Sequence, residues 1–257
     1  MSGALLQLMG SKGAAGAALT MPDNWYDASD VSTITDVSGK ASAIADKGNS
    51  GDDLAQATDS LRPFTGTTTR NGLNTLDCST NRFLHKSSPN ISEVFVGFCL
   101  GYLSSTITKS SSRKLFMGFN SLNMAFGGGS YSGFVSNEVL IVHHYITPRG
   151  SCGYSGSGSG SVSSGLQLLV FRYKDDGNPW EIYVNGGANL QDVTSSSPTF
   201  SSMDVQELLL NGNSSGNQGF DEFAESRLFA QPLSDEQINA HGNDLTAKWG
   251  TTWTPIS

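Results

Sequence analysis

Charge is scarce in this chain. Only 15% of its 257 residues are Asp, Glu, Lys or Arg, and 15 basic residues face 23 acidic ones, for a formal net charge of -8. No basic stripe is present, which argues against an electrostatic nucleic-acid footprint. The acidic balance argues against attraction to an anionic membrane surface. Cysteine is scarcer still, with Cys78, Cys99 and Cys152 alone. An odd count at these spacings matches neither a zinc site nor a disulfide framework. Cys99 lies in the apolar run from Val94 to Leu100 and reads as a small core residue, which suits folding in a reducing compartment. Long apolar runs are also missing: nothing approaches the ~20 residues of a membrane span. The short run Gly3 to Met9 has no basic region before it and meets Lys12 soon after, which is not the layout of a secretory signal.

What the chain does have is 30 glycines and long runs of Ser and Thr. Such a chain keeps its solubility with hydroxyls and amides, as all-β proteins with many turns do. Residues 1–21 stand apart. They are mostly Gly, Ala, Ser, Leu and Met, without strand alternation or a helical stripe. They read as an N-terminal anchoring arm, which at full extension reaches roughly 65 Å. Residues 22–257 then read as one sandwich domain. The clearest strands are Val94 to Leu103, Lys114 to Phe119, Val139 to Thr147, Gly165 to Tyr173, Trp180 to Val184 and Val205 to Leu210, divided by Gly, Asn, Asp and Ser clusters. Asp176-Gly177 supplies a hairpin turn between two of them. Tyr154 to Ser164, nearly pure Gly and Ser, reads as a flexible surface loop. One helix is expected. Ser234-Asp235-Glu236-Gln237 is a capping-box pattern, Ile238, Leu245 and Trp249 follow at helical spacing, and Gly250 stops it. A single helix after a run of strands is expected at an edge or end of the sandwich.

Several motifs resemble a known family. Trp25-Tyr26-Asp27-Ala28-Ser29-Asp30, Asp46-Lys47-Gly48-Asn49, Arg62-Pro63, Asn71-Gly72-Leu73 and Leu76-Asp77 resemble the start of laminin-G-like, concanavalin A-like modules. Trp180 to Gly186, Phe220 to Arg227, Leu233 to Gln237 and Ala247 to Gly250 resemble their later strands and closing helix. The resemblance covers roughly residues 25 to 250. It implies an antiparallel β-sandwich or jelly roll of two sheets with one short C-terminal helix. In the arm, Gly3-Ala4-Leu5-Leu6-Gln7-Leu8, Gly13-Ala14 and Leu19-Thr20 resemble the opening of large DNA virus capsid proteins, although the body departs from that family's longer double jelly roll.

Four groups of residues could carry chemistry. In the acidic loop, Asp46, Asn49, Asp52 and Asp53 could supply oxygen ligands to calcium, although the spacing is not that of an EF-hand and a plain turn explains the loop as well. No other cofactor is implied. Glu222 and Glu225 resemble the paired carboxylates of retaining glycosidases, but residues three apart on a regular strand face opposite sides. The same alternation separates His143 from His144. Among the aromatics, Trp25, Trp180 and Trp249 fall in fold-defining motifs and read as core, which leaves Tyr154 and Trp253 as candidates for glycan contact.

These readings lead to a non-enzymatic structural virion protein. Leu5, Leu6, Leu8 and Met9 of the arm would be solvent-exposed in the isolated chain and dock against other virion or capsid proteins, with surface glycans as a further partner. The alternative is a carbohydrate-binding or adhesion module of a bacterial or viral surface protein, located outside the cell or at its surface. A glycoside hydrolase is the third reading. Neither nucleic-acid binding nor membrane insertion is expected.

Overall fold

The protein is described by a computed structural model, which covers residues 18–80, 82–91, 94–108, 114–118, 122–126, 140–144, 151–154, 161–173, 180–188, 207–211 and 219–257. The strands are β1 (Asn24–Asp27), β2 (Ile34–Asp36), β3 (Ala41–Ile44), β4 (Leu54–Ala55), β5 (Phe64–Arg70), β6 (Leu73–Asp77), β7 (Leu84–Ser87), β8 (Val96–Leu103), β9 (Ile107–Thr108), β10 (Lys114–Gly118), β11 (Leu122–Phe126), β12 (Leu140–His144), β13 (Ser151–Tyr154), β14 (Ser161–Val162), β15 (Gly165–Tyr173), β16 (Trp180–Val184), β17 (Glu207–Leu210) and β18 (Glu222–Phe229). One helix, α1 (Asp235–Trp249), follows. The arm residues Leu5, Leu6, Leu8 and Met9 lie outside the described residues, as do the glycine- and serine-rich positions 155–160.

Two antiparallel sheets form the sandwich. The seven-stranded sheet runs β16-β15-β8-β18-β6-β5, with β1 also paired to β18. The nine-stranded sheet runs β13-β12-β11-β10-β17-β7-β4-β3-β2. Between the sheets lies a core that includes Cys99, Leu169, Phe171, Phe223 and Leu228 from one side and Ile44, Leu54, Leu84, Leu208 and Leu210 from the other. Apolar residues on opposite faces meet here because each strand alternates its side chains.

The central strands do not show that alternation in sequence. Val96, Phe98, Leu100, Leu168 and Val170 are buried on the sheet's other face, beneath Ile238, Leu245 and Trp249 of α1. A strand covered on both faces reads as one continuous apolar run. This corrects the expected position of the helix: α1 lies across the outer face of the seven-stranded sheet, not at an edge or end. The continuous runs in β8 and β15 required such a cover. The helix starts as its residues dictate. The Ser234 hydroxyl accepts from the Gln237 backbone N–H, and the Gln237 side chain accepts from the Ser234 N–H. Gly250 ends it at φ 72°, in the left-handed region.

Residues 18–23 lead into this layer. Gln237 donates to the Thr20 hydroxyl at 2.9 Å, and Asp23 bonds the end of β18 through Leu228 and Ala230. Leu19 and Met21 stay about half exposed. Among the described residues no helix is long and apolar enough to cross a membrane.

Candidate functional site

Among the described residues, the end of the seven-stranded sheet that carries Tyr102 brings two carboxylates, an arginine and two aromatics into one region. The β5–β6 hairpin sets it up. Asn71 (φ 50°) and Gly72 (φ 74°) form a two-residue turn with both φ values positive, the geometry that a tight hairpin needs. That turn pairs Arg70 with Leu73, Thr68 with Thr75 and, past a bulge, Phe64 with Asp77. Asp77 then pairs with Glu222 on β18, Glu222 with Tyr102 on β8, and Tyr102 with Leu166 on β15. Directly paired residues share a face. Phe64, Asp77, Glu222, Tyr102 and Leu166 therefore form one row across five strands, on the face that α1 covers further along.

The polar groups of the row are only partly used. Arg70 donates from Nε to Glu222 Oε2 at 2.9 Å and from Nη2 to Oε1, while Thr75 donates to Oε2 at 3.1 Å. The Arg70 guanidinium also stacks on the Tyr102 ring, 3.5 Å from its centroid. Arg82 stacks on Phe64 at 4.1 Å. Arg70 keeps 32% of its side chain exposed, and Asp77, Tyr102 and Leu166 are half-buried. Asp77 Oδ1 accepts from the Ser79 N–H at 2.9 Å. Its Oδ2, the Tyr102 hydroxyl and Arg70 Nη1 have no protein partner among the described residues. One acceptor, one hydroxyl and one donor are thus distributed along a row that has Phe64 on β5 and Tyr102 on β8.

Glu225, the other carboxylate marked by the sequence, behaves differently. A bulge in β18 between Phe223 and Glu225 adds one residue. Glu222 and Glu225 are therefore two register positions apart and share the outer face, contrary to the expectation from a regular strand. They do not share a site. Glu225 is fully buried. Its Oε1 accepts from Trp25 Nε1 and from Arg227 Nε and Nη2, and its Oε2 from Lys248 and Trp249 Nε1, all at 2.6–2.9 Å. Lys248 also reaches Asp27 at 2.7 Å. Burial alone would raise the Asp27 carboxyl, but hydrogen bonds from Lys248, Ser29 and Lys47 bring it below the ordinary value. This network fastens β1, β18 and α1 together. It also explains why Trp25, expected in the core, is only half-buried: its ring faces Lys47 and its Nε1 serves Glu225.

The acidic loop is also a fastening. Asp46 Oδ1 accepts from the N–H groups of Trp25 and Gly48, and Oδ2 from Asn24, Ser50 and the Asp52 N–H. Asp52 is fully buried and accepts from the N–H groups of Asn90 and Ile91. Asp53 caps the Asp46 N–H, and Asn49 is exposed. The carboxylates of Asp46, Asp52 and Asp53 are therefore engaged by backbone and side-chain hydrogen-bond donors. No group of three His, Cys, Asp or Glu side chains suited to a metal occurs among the described residues.

Of the two aromatic candidates for glycan contact, Trp253 is half-buried. Trp253 packs against the helix layer, where a Cβ on Gly242 would overlap its ring, and it donates to Asn239 at 3.0 Å. It is a latch for the C-terminal tail. Tyr154 ends edge strand β13 as the Cα partner of Leu140; its side chain lies outside the described residues. His143 is in the cross-strand row with Asn123, and His144 pairs with Leu122 one position on.

No protein-family model and no curated protein sequence matches the chain. Solved structures do share its fold. An arabinofuranosidase in complex with arabinofuranosyl-α-1,2-xylobiose is 14% identical, with TM-score 0.55, over 82% of this chain and 51% of that one. Domain 4 of an extracellular arabinanase from Geobacillus stearothermophilus, in complex with arabinotriose, is 10% identical, with TM-score 0.54, over 86% of this chain and 97% of that one. Trypanosoma rangeli sialidase is 11% identical, with TM-score 0.53, over 93% of this chain and 35% of that one. The chain thus spans about half the length of the arabinofuranosidase and nearly all of the arabinanase domain. At these identities the likeness is one of fold.

Two expectations are corrected by these matches. These three structures that share the fold are of carbohydrate-active proteins, not capsid or tail proteins, which overturns the reading as a structural virion protein. The expectation of a chain without enzymatic activity is overturned by the same finding, since arabinofuranosidase and sialidase are glycosidases.

Proposed function

We propose that this chain is a carbohydrate-active β-sandwich that binds a neutral oligosaccharide along the Phe64–Asp77–Glu222–Tyr102 row. The observation that carries this reading is the row itself. Sugars present hydroxyls that both donate and accept, together with apolar ring faces. The row offers Asp77 Oδ2 as an acceptor, Arg70 Nη1 as a donor and the edges of Phe64 and Tyr102 as apolar surface. Arg70 offsets Glu222, which leaves Asp77 as an uncompensated carboxylate in the row and suits an uncharged ligand that donates from hydroxyls. The arabinanase domain that matches nearly end to end was solved with arabinotriose, which supports an arabinose-containing oligosaccharide as the first ligand to try. The laminin-G-like resemblance of residues 25 to 250 supports the same class.

Titration of the full chain with arabinotriose and with a glycan panel tests the proposal. Wild-type protein is expected to bind. Tyr102→Ala and Asp77→Ala are each expected to weaken binding about tenfold, the scale of one aromatic or hydrogen-bonding contact. Binding that ignores both substitutions places the site elsewhere, and no binding across the panel removes the reading.

A further inference from the structure

We propose that Asp77 and Glu222 are the two carboxylates of a retaining glycoside hydrolase site. The inference rests on the carbohydrate reading above and adds a reaction to it. The two residues are direct cross-strand partners on one face. The Cβ atoms of such partners stand ~4.5–5.5 Å apart. Cβ atoms at that spacing allow their carboxyl groups to stand about 5–5.5 Å apart, the separation of retaining glycosidases, where inverting ones need about 6.5–9.5 Å. Like charges placed directly opposite each other destabilise a sheet. Here one positive partner, Arg70, answers Glu222, and no cationic side chain pairs with Asp77 among the described residues. The sequence-adjacent alternative, Glu225, is sealed by five donors and cannot reach a substrate as it stands.

The surroundings assign the roles. Arg70 and Thr75 fix the Glu222 carboxylate, and Oε1 bonds only Arg70, so that it keeps a lone pair for attack. Asp77 holds Oδ1 against the Ser79 N–H and presents Oδ2 free, where it can carry a proton. Glu222 Oε1 attacks the anomeric carbon, the glycosidic C–O bond breaks, and the Asp77 proton passes to the departing oxygen. A glycosyl ester on Glu222 results. Water then gives a proton to Asp77 and its oxygen attacks the anomeric carbon. The ester C–O bond breaks, which restores Glu222 as a carboxylate and Asp77 as an acid. Phe64 flanks Asp77 and Tyr102 flanks Glu222, so sugar rings on both sides of the cleaved bond meet an aromatic edge.

The test uses the full chain with arabinotriose and with a panel of aryl glycosides, nitrophenyl α-L-arabinofuranoside among them. Wild-type protein is expected to release product. Asp77→Asn and Glu222→Gln are each expected to lower release of reducing ends roughly 10²-fold or more. Azide added to Glu222→Ala is expected to restore turnover and yield a glycosyl azide of inverted configuration, which a structural role for Glu222 would not produce. Wild-type protein that binds sugar but releases nothing overturns this inference and leaves the binding reading standing. Release that survives Asp77→Asn overturns the assignment of the pair. Failure to bind any sugar, with no release, overturns both readings.

Discussion

Five donors converge on the carboxylate of Glu225, which no solvent reaches. Removing such a partner leaves buried cations without compensation, and breaking a buried pair costs about 3–5 kcal/mol. Glu225→Ala is expected to lower the unfolding free energy by that amount in urea titration; a loss under about 1 kcal/mol, the scale of an exposed pair, would contradict the network. His241 adds a pH dependence nearby. It is buried beside the rings of Phe98 and Phe229, and its Nδ1 lies 3.1 Å from Arg227 Nη1. Arginine only donates, so Nδ1 accepts and the ring is neutral. Burial, then the Arg227 charge, push its pKa down to about 4, against the pull of Asp244. The unfolded chain takes up this proton near pH 6.5 and the fold resists until about pH 4. Stability therefore falls as pH drops through that window, by up to about 3 kcal/mol. Asp27, whose pKa is lowered, acts in the same direction at still lower pH. A His241→Leu variant should lose the slope between pH 6.5 and 4, which pH-dependent urea midpoints would reveal.

At the scale of elements, α1 and the β5–β6 hairpin illustrate local signals that the fold obeys. The capping box forms with both of its bonds. Ser234→Ala is expected to cost about 1 kcal/mol, read as a lower melting temperature with unchanged sheet signal in circular dichroism. The Asn71-Gly72 turn sets a register that carries through to Asp77 and brings Arg70 beside Glu222. The bulge in β18 is the opposite case. Nothing in Glu222-Phe223-Ala224-Glu225 announces an extra residue, because the bulge follows from fitting β18 against β8. Regular alternation therefore placed the two glutamates on opposite faces, and the bulge returned them to one.

For the whole molecule, stability is expected to be independent of calcium. The carboxylates of Asp46 and Asp52 tie the Asn24, Gly48, Asn90 and Ile91 segments together by accepting hydrogen bonds, which leaves little coordination capacity for a cation. Thermal unfolding with a chelator and with millimolar calcium should coincide; a clear upward shift with calcium would contradict this account. The outer face of the seven-stranded sheet also has two unlike stretches. The stretch under α1 is apolar and closed, while the end at Tyr102 is polar, with Glu222 buried and Asp77 and Tyr102 half-buried. That division is what places a row of unsatisfied groups at the surface of an otherwise filled sandwich.

The all-β class, the strand at Gly165–Tyr173, the helix and its caps, and the core role of Cys99 were legible in the residues, because periodicity, turn chemistry and capping act over a few positions. The site was not. Asp77 and Glu222 are separated by most of the chain, and only strand order and register make them neighbours. The uses of Asp46, Asp52, Glu225 and Trp253 were equally hidden, since an isolated carboxylate or indole looks the same whether it awaits a ligand or already serves a backbone N–H or a helix. Local signals depend on backbone dihedrals within reach of one another. Long-range pairing depends on which hydrophobic faces close together, and that is decided only when the whole sandwich is assembled.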